Sequence, residues 1–98
     1  MIRHVTLIDF KEGTTEAQRT AVCEVFEQLP QHIPGIRQFE VGLDLGLLEG
    51  NAGLAVHATF DSQEDFITYA THAAHGEVVF PVCGEVMAGY STAQIAID

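Results

Sequence analysis

The opening strand narrows the possible folds more than any other feature of the chain. Ile2, His4, Thr6, Ile8 and Phe10 alternate with Arg3, Val5, Leu7 and Asp9. A period of two with β-branched enrichment predicts a strand over Ile2 to Phe10. Both sets of positions carry apolar side chains, so both faces of this strand need cover.

The period then changes. Lys11-Glu12-Gly13 turns the chain, and Thr15 followed by Gln18 reads as a capping box. The helix it starts is expected to reach about Leu29, burying a stripe of Val22, Val25, Phe26 and Leu29. Pro30 is expected to end it, and Ile33-Pro34-Gly35-Ile36 to turn into a strand from Gln38 to about Leu43. Gly42 to Gly53 holds four glycines and reads as a long hairpin connection. Its Leu45, Leu47 and Leu48 are apolar enough to fold over a pocket or meet a partner chain. A third strand follows, Leu54 to Phe60, with His57 on the face opposite Leu54 and Val56. Asp61 with Glu64 signals a second helix, whose apolar positions are Phe66, Ile67, Tyr69 and Ala70. Val78, Val79, Val82, Cys83, Val86 and Met87 suggest another helical stripe, with Pro81 at its start or at a kink. Gly89 is expected to release the chain into a last strand, about Ser91 to Ile97.

The order β-α-β-β-α-(α)-β is the split βαβ of a ferredoxin-like α+β fold. Its helices cover one sheet face, and a second sheet must cover the other. The 98 residues are 47% hydrophobic, a high apolar load for one small domain spanning 1–98. A second copy of the chain would bury the excess, so a homodimer is expected.

Four Lys and Arg stand against 14 Asp and Glu, a formal net charge of −10. Nucleic acid and anionic membranes require clustered cations, so neither is an expected partner. No apolar run approaches transmembrane length. Cys23 and Cys83 form no metal or redox motif, and the start of the chain shows no secretory segment; the expected location is the cytoplasm.

The chemistry-bearing segment is Tyr69-Ala-Thr-His72-Ala-Ala-His75, where titratable rings recur every three residues and share a helix flank. His and Tyr are suited to moving protons near neutral pH. His72-x-x-His75 lacks the H-x-x-x-H spacing that usually puts two imidazoles on one metal, and no metal site is expected. Gly42 to Gly53 holds no phosphate-binding fingerprint.

Several of these segments together resemble the stress-responsive dimeric α/β-barrel (Dabb) family. They are Ile2-Arg3-His4-Val5, Phe10-Lys11-Glu12-Gly13-Thr14, Ile33-Pro34-Gly35-Ile36, Thr59-Phe60-Asp61-Ser62 and Tyr69-x-x-His72-x-x-His75, in that order. The resemblance implies two half-barrels packing into a dimeric α/β barrel, with a pocket between sheet and helices for a small apolar or aromatic ligand. It further implies cofactor-independent chemistry, since a plant polyketide cyclase of the family performs an aldol condensation with a His and a Tyr. Those fall on His75 and Tyr69, and a third pocket residue on His4. Thr6, Ile8, Val22, Phe26, Leu54 and Val56 would complete the substrate site. The sequence departs from the family where Leu54 replaces a pocket His and where His72-Ala73-Ala74-His75 lacks the usual Pro. Relatives on this fold also include cofactor-free monooxygenases and proteins with no assigned activity, so oxidation and plain ligand binding are the alternatives.

Overall fold

A computed structural model describes residues 1–97; Asp98 lies outside the described residues. Strand β1 (Ile2–Phe10) leads to helix α1 (Glu16–Glu27), a short helix α2 (Leu29–His32), and the hairpin of β2 (Ile36–Leu43) and β3 (Leu54–Phe60). Helix α3 (Gln63–Thr71), a π-helical turn (His75–Val79), a one-turn helix α4 (Phe80–Cys83) and β4 (Met87–Ala96) complete the order. The strands form one antiparallel sheet in the order β2-β3-β1-β4. That is the ferredoxin-like α+β fold, and among the described residues no helix is long and apolar enough to cross a membrane.

Both helix starts are capped by side chains. Thr15 Oγ1 accepts from Gln18 N at 3.1 Å while Gln18 Oε1 accepts from Thr15 N at 2.9 Å, a complete capping box. At α3 the cap lies one residue beyond the position expected for it. Ser62 Oγ accepts from Asp65 N at 3.1 Å, because the Asp61 carboxylate is turned toward Arg37 Nη1, 3.1 Å away.

Other boundaries also move. Helix α1 stops at Glu27, and Pro30 sits in the first turn of α2, where its missing N–H costs nothing. Strand β2 begins at Ile36, two residues earlier than expected, because Ile36 pairs with Phe60. Gly89 lies inside β4 opposite Asp9, and Met87 already pairs with Phe10 across a bulge. The expected stripe from Val78 to Met87 is no regular helix: Val79, Cys83 and Val86 are buried from the π-turn, α4 and the following turn. Ile67 faces solvent.

The helices cover one sheet face. Ile8, Leu54, Val56 and Phe60 point up from the strands to meet Val22 and Phe26 of α1 and Tyr69 of α3. Gly53 keeps the β3 entry tight, since a Cβ there would collide with the Phe10 ring. The other face, with Val5, Leu7, Ala55, Ala93 and Ile95 in adjacent registers, has no helix packed on it among the described residues. Leu45, Leu47 and Leu48 in the β2–β3 connection are exposed as well.

Candidate active site

The cover over the sheet is incomplete on the β4 side, where α3, the π-turn and α4 leave a cleft of about 450 Å³. Its floor is the helix-facing row of β1 with that of β4, and Phe66, Tyr69 and His75 form a wall. A larger surface groove, about 630 Å³, runs between the start of α1 and the β2–β3 connection. It is lined by Asp9, Glu16, Asp44 and Arg19 but by no His, Tyr or Cys. Among the described residues no three His, Cys, Asp or Glu converge to hold a metal ion. The smaller cleft therefore holds the groups able to move protons.

Tyr69 and His75 reach it from neighbouring turns. Tyr69 is on the buried side of α3, and α3 ends at the His72 cap, whose Nδ1 accepts from Ala74 N at 3.0 Å. That bond shapes the link into the π-turn, which His75 begins. π-turns often mark functional sites. The Tyr69 and His75 rings meet edge to face, centroids 4.5 Å apart at 87°. No hydrogen bond joins them; the contact is between the rings.

Burial sets the protonation states. Desolvation lowers the His75 pKa, as does the nearby His72, while a backbone interaction with His72 opposes the shift. Nδ1 of His75 is nevertheless buried without a partner at full hydrogen-bond geometry. Desolvation pushes the Tyr69 phenol up to about 12. Near neutral pH the site thus presents a neutral imidazole and a protonated phenol. Tyr69 Oη has no protein partner among the described residues and can donate to a ligand.

His4 lies across the cleft from this pair, 5.0 Å from the Phe66 ring and 5.7 Å from Tyr69 between centroids. Its pKa is lowered by desolvation and then by His75. Both ring nitrogens are occupied, Nε2 with Thr6 Oγ1 at 2.9 Å and Nδ1 with Gln94 Nε2 at 3.0 Å.

The structure thus gathers His75, Tyr69, His4, Thr6, Ile8 and Phe26 around one cavity. Val22, Leu54 and Val56 do not line it. They are at most 1% exposed and pack beneath α1, filling the core where a ligand would have to lie. Tyr90, Thr92 and Gln94 of β4 line the cleft although the sequence reading passed over them. Their alternation was visible; in a ferredoxin-like sheet β4 lies beside β1, which puts Gln94 next to His4.

A four-stranded antiparallel sheet under one layer of helices, with His75 and Tyr69 beside a cleft, makes this a ferredoxin-like α+β protein. Residues 2–93 match the Stress responsive A/B Barrel Domain (Dabb), and the chain belongs to that family. It is 29% identical over 76 residues to olivetolic acid cyclase of Cannabis sativa, covering 76% of this chain and 75% of that protein. A dimeric ferredoxin-like protein of unknown function from Thermobifida fusca is 30% identical, with a TM-score of 0.85 over 98% of this chain and 90% of that one. The hydroxynitrile lyase of Passiflora edulis shares the fold, with a TM-score of 0.77 and 18% identity over 99% of this chain and 93% of that one.

Proposed function

We propose that the protein is a cofactor-independent enzyme of aldol or lyase type, acting on a small carbonyl-bearing, polyketide-like or aromatic substrate. The observation that carries this reading is the buried, unpartnered Nδ1 of His75 against the Tyr69 ring in a largely apolar cleft. A neutral imidazole held dry is a competent general base. His75 takes the proton from the carbon beside the carbonyl, and the electron pair moves onto oxygen as an enolate. Tyr69, held protonated, donates to that oxygen. The enolate carbon then forms the new bond to a second carbonyl, and the resulting alkoxide recovers the proton from His75. The reverse sequence cleaves the bond. Neither direction moves electrons to an external acceptor, so the chemistry calls for no cofactor.

His4, with both nitrogens engaged, is a polar contact on the floor rather than a second base. The likeness to olivetolic acid cyclase supports the condensation direction, and the fold shared with a hydroxynitrile lyase accords with cleavage. The working unit is a homodimer joined through the open sheet face, as the dimeric Thermobifida relative supports. Both cysteines are free, in keeping with a cytoplasmic location.

The test is turnover of β-polyketone and aromatic β-hydroxyketone substrates, followed by product chromatography. His75→Ala is expected to lower kcat/KM by about 10²–10⁴, the usual contribution of a positioned acid–base group. Tyr69→Phe is expected to lower kcat more than it changes KM. Unchanged turnover in both variants rules the assignment out. A second reading, binding without turnover, is favoured by the open mouth of the cleft, where Phe80 and Tyr90 are 62% and 64% exposed. In that case a ligand raises the melting temperature and is recovered intact.

A further inference from the structure

The floor of the cleft carries a hydrogen-bond chain with a direction. His4 on β1 stands opposite Gln94 on β4, with Thr6 two residues along the same face. Gln94 Nε2 is the amide atom facing His4 Nδ1, at 3.0 Å. An amide nitrogen only donates, so Nδ1 accepts, and the proton of the neutral ring lies on Nε2. That proton is donated to Thr6 Oγ1 at 2.9 Å. The Thr6 hydroxyl has thereby accepted, and its own hydrogen finds no protein acceptor among the described residues. Thr6 lines the cleft.

We infer that Thr6 is a substrate-contacting donor, whose hydroxyl hydrogen is turned into the cleft by the Gln94-to-His4-to-Thr6 chain to bind a carbonyl oxygen of the substrate. The inference rests on reading the cleft as a small-molecule site and adds the chemical polarity of its floor. With the chain running this way the floor offers a donor, so it favours ligands that present an acceptor oxygen. Run in reverse, with Nδ1–H donating and Nε2 accepting from Thr6, the same three residues would offer none. Gln94, although it also lines the cleft, is a positioning residue for this donor: it acts on Thr6 through His4 and selects the tautomer. Each bond in such a chain polarises the next, which strengthens the terminal donor.

Two measurements test this without turnover. Nitrogen-15 NMR of the native protein reads the His4 tautomer, and the Nε2–H form is expected. A native His4 protonated on Nδ1 overturns the chain. Acetophenone is then bound as a carbonyl probe and its C=O stretch followed by infrared difference spectroscopy. A shift to lower wavenumber is expected in the native protein, retained in Thr6→Ser and lost in Thr6→Val. In Gln94→Met the shift is reduced and the His4 ring samples both tautomers. A Thr6→Val stretch equal to the native one overturns the assignment, as does the absence of any shifted band at saturating probe. Loss of turnover in His75→Ala bears only on catalysis, so the two readings fail separately.

Discussion

The two buried histidines make the fold sensitive to acid. His4 and His75 both have pKa values below the ordinary 6.5, with desolvation the main cause. Below that value the unfolded chain binds protons that the folded chain refuses. Stability therefore rises with pH across that window and falls as pH drops through it. Thermal melting between pH 7.5 and 5.5 should show this as a lower midpoint on acidification. The double variant His4→Gln/His75→Gln should have a shallower slope; an equal slope would mean that the rings carry no such linkage. The pH series isolates these rings because it compares slopes, leaving the net charge of −10 common to both proteins. At this scale the expected shared helix flank of Tyr69 and His75 does not hold: α3 ends at Thr71, the chain is extended at His72, and His75 meets the Tyr69 ring from the π-turn that follows. Gln94 was not legible in the sequence, because its hydrogen bond to His4 joins residues 90 positions apart and needs the sheet order. Neither was the burial of Val22, Leu54 and Val56: a strand's period says which face a residue takes, not whether a helix has already filled the space above it.

At the scale of elements, the start of α3 separates local signal from tertiary context. Asp61 and Ser62 are both cap residues by type, and spacing to Glu64 favours Asp61. The structure gives Asp61 to Arg37 and the cap to Ser62. Ser62→Ala should therefore cost about 1 kcal/mol, as a lost N-cap does. Asp61→Ala should cost less, because that ion pair is exposed and such pairs contribute roughly 0–1 kcal/mol. Urea unfolding of the two variants ranks them, and the reverse order would return the cap to Asp61. Periodicity was a good guide to the long elements, β1, α1 and β3, where many residues vote for one period. It failed from Val78 to Met87, where a π-turn and a one-turn helix follow each other within nine residues of His75. Elements that short are set by what they cover, here Tyr69 and the cleft wall, rather than by propensity.

The whole protomer measures 38 × 29 × 17 Å, and the smallest dimension is that of one helix layer on one sheet. Its radius of gyration of 13.3 Å matches a compact chain of this length, about 13 Å for 100 residues. The uncovered sheet face is thus a feature of a well-packed protomer and not of a loose one. Leu7 and Ile95 remain 43% and 52% exposed there, with Val5, Ala55 and Ala93 in neighbouring registers. His57, facing Glu40 and Val5 in register, borders this apolar patch. A twofold partner places each such residue in the interface twice. Burying a whole leucine is worth about 1.5–3 kcal/mol, and with 43% of Leu7 left exposed in the protomer the two copies together contribute roughly 1–3 kcal/mol before the cost of burying charge. At 1.4 kcal/mol per factor of ten, and with two buried carboxylates added to that loss, Leu7→Glu should weaken a dimer by more than about tenfold. Sedimentation equilibrium should then show twice the chain mass for the native protein and 10.6 kDa for the variant at micromolar concentration. Ile67→Glu, on the exposed side of α3, is the control and should leave the mass unchanged. A native protein that sediments as a monomer, or a Leu7→Glu variant that remains paired, would remove the open face as the seam of the barrel. The exposed Leu45, Leu47 and Leu48 would then be the surface left to test.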